Sequence, residues 1–456
     1  MTLPVWSMLP FAALLGCIAV LPLIPATAPY WDRNRWKAVV ALALGAPVGL
    51  WIWFGVDPHL VQHSMAEYGQ FIVLLASLFV ASGGIFVSGD LRATPRNNTI
   101  MLVAGALLAS FVGTTGAAML LIRPILNTNS QRRHRSHTVV FAILMVANCG
   151  GLLTPLGDPP LYVGLMRGVP FTWTFSLFWP WVFVNGLLAF TYFALDTRLY
   201  ATEPAEAIAA DDAEVEPLSL RGAHNIVWLA VIIASVAFLG EWPWLKVGAQ
   251  VAAAAASYWL TPKRIRFGDN EFTWHPIIEV AVLFAGIFLT MIPALQILRA
   301  EAHNLPLNEY TFFGFTGGLS AVLDNTPTYL AFFDMGQELT LDGSAVVAGV
   351  PELYLTAIAL GAVTCGAVTY IGNGPNFMVK AIAEERGVAM PSFGGYVVRA
   401  SIYLLPILVA LVCIFISPLT PVKCAGWALT AALLVRPVIW LVRAQRRSMG
   451  TNSRST

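Results

Sequence analysis

Apolar runs about 20 residues long recur from the start of the chain to its end. A run of that length is what an α-helix needs to cross the hydrocarbon of a bilayer. Only 11% of the residues are charged, against about 25% in a soluble domain. Mean hydropathy is +0.70. The expected fold class is therefore an all-α polytopic membrane protein. The net charge of +1 points to no nucleic-acid or acidic partner. The first run, Trp6 to Ile24, has no basic residue before it, so it reads as a first transmembrane helix rather than a cleaved signal peptide. Cys17, Cys149, Cys365, Cys413 and Cys424 lie in or beside apolar runs without zinc-type spacing, and read as free packing residues.

Spans are predicted at 6–25, 37–56, 68–89, 138–163, 173–195, 224–240, 247–262, 275–298, 350–379, 394–416 and 424–442. Residues 99–126 and 311–335 are too long for one span and too short for two. Each has a polar or Gly/Pro knot at its centre, GTTG at 113–116 and DNTP at 324–327. Two half-length limbs meeting at a polar tip is the pattern of a re-entrant hairpin. The basic flanks RNRWK (33–37), RATPR (92–96), QRRHR (131–135), KRIR (263–266) and RAQRR (443–447) should face the cytoplasm. One topology places all of them there: an outside N-terminus, eleven spans, two hairpins and an inside C-terminus.

The chain divides into N-terminal helices (1–64), a first repeat (65–195), an acidic cytoplasmic linker (196–223), connecting helices (224–270), a second repeat (271–416) and a C-terminal helix with a basic tail (417–456). The linker, short of apolar residues, reads as a tether without a ligand. LASFVGTTGAAML (108–120) aligns with LSAVLDNTPTYLA (319–331), and CGGLLTPLGDPPLYV (149–163) with CGAVTYIGNGPNFMV (365–379). In both repeats a polar-tipped hairpin precedes a span broken at Gly and Pro. The two hairpins enter from opposite faces, so the repeats are inverted. Paired interrupted segments in inverted repeats point to the binding site of a secondary transporter.

A broken helix leaves backbone groups unpaired at membrane depth, which is tolerated where they line a cavity or bind something. Free carbonyls suit a cation and half-helix N-termini suit an anion. The breaks fall at Gly157–Pro160 and Gly372–Asn376. The tips supply Thr114 and Thr115, and Asp324, Asn325 and Thr326, all oxygen-bearing side chains that hard cations prefer. A carboxylate at this depth can hold sodium when ionised or a proton when neutral. Asp324 is the favoured switch, with helix capping as its plainer role. Asp158 is more evenly balanced, because Gly-Asp-Pro-Pro is also an ordinary turn; its repeat mate is the neutral Asn373.

Other polar residues carry less. Arg123 is expected to reach toward the basic loop. Glu279 and Arg399 are expected at span ends, and Asp90 should end its span. His59 and His63 have a metal-compatible spacing but are placed in an outside loop with no third ligand. No P-loop, HExxH or GxSxG motif appears, so neither an ATP-driven pump nor a membrane hydrolase has motif support.

ANCGGLLTPLGDPP resembles the signature of the ion transporter superfamily, in the branch holding arsenite permeases, NhaD-type sodium/proton antiporters and citrate-metal transporters. SAVLDNTPT resembles that branch's second-hairpin motif and YIGNGPN its second broken helix. The resemblance covers residues 65–400. It implies a scaffold that often dimerises and carries its site across the membrane by an elevator-like motion. By motif, the ion and substrate site would comprise Thr114, Thr115, Asn148, Gly157, Asp158, Asp324, Asn325, Thr326, Gly372, Asn373 and Asn376. Dicarboxylate transporters of the superfamily carry Ser-Asn-Thr at their tips; this chain has Thr-Thr and Asp-Asn-Thr, and the extra negative charge disfavours a bare carboxylate. The expectation is a multi-pass transporter of the bacterial inner membrane, not an enzyme. It should exchange sodium for protons, with sodium held at Asp324 and Asp158. The alternative is sodium- or proton-coupled transport of citrate, another carboxylate or an oxyanion such as arsenite. No cofactor is expected beyond sodium or a proton as coupling ion. The expected partners are the lipid bilayer, small ions or a small carboxylate, and a second copy of the chain.

Overall fold

The computed structural model describes residues 3–31, 33–213, 215–341, 343 and 345–452. Its helices are α1 (Leu9–Val20), α2 (Ala28–Trp31), α3 (Asn34–Gly55), α4 (Pro58–Ser82), α5 (Pro95–Val112), α6 (Thr114–Thr128), α7 (Ser136–Met145), α8 (Pro159–Met166), α9 (Phe178–Tyr200), α10 (Ala205–Ala213), α11 (Asn225–Phe238), α12 (Pro243–Leu260), α13 (His275–Glu301), α14 (Glu309–Ser320), α15 (Asn325–Gln337), α16 (Glu352–Cys365), α17 (Gly374–Glu385), α18 (Phe393–Leu411) and α19 (Thr420–Asn452). The main strands are β1 (Phe86–Asp90) and β2 (Glu216–Arg221).

Among the described residues, seven helical stretches are long and apolar enough to cross a membrane: Val5–Leu23, Asn34–Gly55, Pro58–Ser82, Phe171–Tyr200, His275–Asn304, Phe393–Ile416 and Thr420–Gln445. Three further predicted spans rest on shorter apolar helices, Ser136–Leu152, Asn225–Phe238 and Glu352–Val368. The last, α12, is helical and buries Lys246 and Gln250. The side chains left exposed on these helices are largely apolar, such as Leu42, Leu50 and Phe54 on α3 and Val398, Ile402 and Val409 on α18. A bilayer accepts such a face where water would not.

The chain falls into two compact units. One holds residues 1–84, 159–171 and 222–362; the other holds 85–158, 172–221 and 363–456. In the first, α3 packs on α13 because both are stripped to small residues where they meet. A Cβ on Gly45 would come 3.1 Å from the Gly286 Cα, and one on Gly286 would come 2.8 Å from the Ala41 Cβ. Close backbone approach of this kind is how helices associate in lipid. Lys37, on α3, meets Glu279, on α13, at 2.6 Å, so Glu279 also joins the two helices. Arg266 is fully buried. It donates to the carbonyls of Val80 (2.6 Å) and Ser257 (3.0 Å) at the ends of α4 and α12.

Several expectations need correction. The span placed at 68–89 begins ten residues earlier, at Pro58, and ends at Ser82. The Asp57 side chain accepts the His59 N–H at 2.9 Å, a helix N-cap followed by proline at the first helical position. His59 and His63 therefore lie in the first turns of α4, and His63 pairs with Glu67 at 3.2 Å. Asp90 ends a strand, not a helix. Residues 196–222 are also structured. α9 runs on to Tyr200, α10 follows, and β2 pairs antiparallel with β1, Phe86 opposite Arg221 and Asp90 opposite Glu216. The buried Asp211 accepts the Ala93 N–H at 2.9 Å. Arg123 is buried on α6 instead of reaching outward.

Both polar-centred pieces fold as two short limbs, α5–α6 turning at Gly113 and α14–α15 turning at 321–324. Both broken segments are helix, 3-10 turn, irregular stretch, helix. α7 gives way to Cys149–Leu152 before α8, and α16 to Gly366–Val368 before α17. One unit boundary falls at the end of the first break, between 158 and 159, and another near the end of α16, between 362 and 363. The first hairpin consequently shares a unit with α7 and α17, the second with α8 and most of α16. Within the units α6 packs on α17 and α15 on α8. Each hairpin thus partners the first half of its own repeat's broken helix and the second half of the other's.

Candidate functional site

In the second unit the first tip and both breaks converge. Gly113 makes the tip possible, since its φ of +83° lies where a side chain is strained. α6 then starts at Thr114, whose N–H donates to the Gly157 carbonyl at 2.8 Å. Its hydroxyl donates to Asp158 Oδ1 at 2.9 Å. From the other break, Asn373 Nδ2 donates to Asp158 Oδ1 and Asn148 Oδ1, each at 3.3 Å, and to the Ala147 carbonyl at 3.1 Å. Asn148 Nδ2 in turn donates to Asn376 Oδ1 at 2.7 Å and to the Ile143 carbonyl at 2.8 Å. Asn376 closes the chain of bonds by donating to the carbonyls of Gly366 (2.8 Å) and Thr369 (2.9 Å).

Thr114, Asn148, Asp158, Asn373 and Asn376 are each at most 4% exposed. Their carboxamides satisfy carbonyls that the breaks release, which buried backbone requires. Neighbouring helices complete this. Trp181 Nε1 and the Ser110 hydroxyl donate to the Gly150 carbonyl, and Asn185 Nδ2 donates to that of Cys149 at 3.1 Å. The glycines are steric necessities. A Cβ on Gly157 would collide with the Gly151 carbonyl, 2.7 Å from its carbon, and one on Gly150 would come 2.6 Å from the Ala106 oxygen. The outcome is one buried carboxylate bonded by a hydroxyl and a carboxamide, with two further carboxamides linked behind the latter. Gly372 is buried beside it and donates its N–H to Thr369 Oγ1 at 3.0 Å. Thr115 is half-buried, behind the tip.

Asp324, Asn325 and Thr326 belong to the first unit. There Asp324 caps α15, accepting the Thr326 N–H at 3.0 Å, while its carbonyl accepts the Thr328 hydroxyl at 3.1 Å. The capping role is thus present in the geometry. Asn325 and Thr326 are buried and Asp324 is half-buried. Further along α15, Asp334 enters an ion network absent from the sequence reading. Arg167 pairs with Glu67 at 3.0 Å and with Asp334 at 3.5 Å, and Arg299 approaches Asp334 at 3.7 Å. Glu67 and Asp334 are buried. The available signal was a lone carboxylate in the apolar limb 327–335, which should have demanded a cation.

Two polar-tipped hairpins, two helices broken at glycine and proline, and a buried carboxylate among carboxamides within a multi-pass helical protein define a membrane transporter. The comparisons identify the group. The chain belongs to the family described as "Putative citrate transport", whose model matches residues 1–416. It is also similar to uncharacterized transporters of Mycobacterium tuberculosis and Mycobacterium bovis. Each is 25% identical over 397 residues, covering 82% of this chain and 84% of the relative.

Proposed function

We propose that the chain is a secondary active transporter whose coupling cation binds at Asp158, between the first tip and the two breaks. The carrying observation is the single buried carboxylate held by the Thr114 hydroxyl and the Asn373 carboxamide, with Asn148 and Asn376 bonded in turn behind Asn373. One negative charge with neutral oxygens suits a monovalent hard cation better than a divalent one, which takes more carboxylates. In the present arrangement the Thr114 hydroxyl donates to Asp158. A bound sodium would take the carboxylate's charge, and the hydroxyl would turn its lone pairs inward. A proton on Asp158 would compete with that sodium, which is the requirement for exchange. Asp324, ending the other tip, is the second candidate for such competition. The reading carries with it an inner-membrane location, an outside N-terminus and a cytoplasmic C-terminus, from the basic flanks. It also carries a homodimer with an elevator-like motion, from the resemblance.

A specific observation favours a second reading, cation-coupled carboxylate transport. Asn373 makes no side-chain capping bond to α17, although it stands at its N-cap. Pro375 has no N–H and that of Asn376 donates to the Asn373 carbonyl at 3.1 Å, so it is the uncapped positive end of the α17 dipole that favours an anion. The family description agrees with a carboxylate. Proteoliposomes with an imposed pH gradient separate the readings, with sodium, lithium, potassium and citrate added in turn. Exchange requires collapse of the gradient by sodium alone; co-transport requires citrate together with the cation. The cation site is refuted if Asp158→Asn retains full cation-dependent flux.

A further inference from the structure

We propose that a cavity of about 430 Å³ in the second unit, walled by the ends of α7, α9 and α18, is a binding site for a phosphate group. An anionic phospholipid headgroup would be its occupant. Arg133, Arg135 and Arg399 line it, together with His134 and His137, and no carboxylate is among its lining residues. The volume is that of a small-ligand cleft.

The placement of these cations is what points to an anion. Arg135 occupies the N-cap of α7 and makes no capping bond there. The N-terminus of a helix is its positive end, with N–H groups that lack intrahelical partners. Cations gathered at that end repel both the dipole and one another unless a negative charge joins them. The nearby carboxylates are already engaged. Asp196 holds Arg132 at 2.7 Å and His137 at 2.8 Å, and Glu203 accepts the backbone N–H groups of Arg133 and His134. Arg135 and Arg399 have only neutral oxygen contacts, to the Gly387 carbonyl at 3.3 Å and the Ser136 hydroxyl at 3.4 Å. Guanidinium groups match the planar, two-oxygen geometry of phosphate. Val140, Phe141 and Leu195, all buried, make part of the wall apolar. A basic and partly apolar wall, at the ends of membrane helices, fits a lipid whose headgroup is anionic and whose glycerol is not.

The test uses the purified full-length protein. Native mass spectrometry would measure retention of phosphatidylglycerol and phosphatidylcholine, alone and with inorganic phosphate or citrate as competitor. Preference for phosphatidylglycerol, falling about tenfold for each of Arg135→Gln and Arg399→Gln, is the expected result. Retention unchanged by Arg264→Gln, an exposed arginine of the other unit, completes it. Competition by inorganic phosphate would identify the phosphate group itself as the recognised chemistry and a soluble anion as the occupant. Equal retention of the two lipids without phosphate competition overturns the proposal, as does displacement by citrate but not phosphate. The lipid comparison on the unaltered protein decides the matter even where a variant misfolds. The outcome is also independent of the cation site, since Asp158 takes no part in it.

Discussion

Gly157→Ala should jam the first break. A Cβ there would lie 2.7 Å from the Gly151 carbonyl carbon and 2.9 Å from its Cα, and would overlap its oxygen. These neighbours are backbone and cannot rotate away, so the two strands of the break must separate. Overpacking of this kind costs about 1–3 kcal/mol. The separation would also strain the bond from the Thr114 N–H to the Gly157 carbonyl, worth a further ~1 kcal/mol. A loss of about 2–4 kcal/mol follows, together with displacement of Asp158 from the Thr114 hydroxyl. The matched control is Gly374→Ala in the second break, where nothing lies within 4 Å of the new atom, and a change within ~0.5 kcal/mol is expected. Thermal unfolding in detergent and cation-dependent flux in proteoliposomes would be measured on both. The reasoning fails if Gly157→Ala melts and transports as the unaltered protein does, or if Gly374→Ala loses as much.

Asn148→Ala should cost about 2–3 kcal/mol in thermal unfolding, because it removes bonds to Ile143 and Asn376 and the acceptor of Asn373. Glu279→Gln should destabilise by about 1–3 kcal/mol, leaving Lys37 buried with a neutral partner. Combining it with Lys37→Met should recover part of that loss, and a double-mutant cycle reads the difference. Gly286→Val should lower the melting temperature by forcing α3 off α13, whereas Gly318→Ala, with nothing within 4 Å, should not.

What could be read before the fold was known follows from locality. Glycine, proline or a hydroxyl inside an apolar run has few places to go, so GTTG at 113–116 and DNTP at 324–327 marked the two tips, and the Gly-Pro clusters marked the breaks. The start of α4 was obscured because the stretch HLVQHSMAEYGQ looks too polar for a span. Its polarity is accounted for by Arg167, about 100 positions away, which neutralises Glu67. The β1–β2 ladder joins segments more than a hundred residues apart, and only the brief alternation LSLR (218–221) in β2 announces it. Aligning the repeats made Asn373 the counterpart of Asp158. It gave no hint that the two side chains would touch at 3.3 Å, since equivalence in a repeat carries no information about contact.

The exchange of half-helices between repeats also sets an order of events during synthesis. When α15 leaves the ribosome, its partner α8 has long been made. The first hairpin has no such advantage, because α17 begins at Gly374 while α6 ends at Thr128. At ~5–20 residues per second, the 215 and 228 residues that separate them leave Asp158 and Asn148 waiting about 10–45 s for Asn373 and Asn376. For that interval the polar heart of the first repeat must be kept by something other than the finished protein, whether lipid headgroups, water or the insertion machinery. The two repeats, alike in sequence, are therefore unlike in their early history.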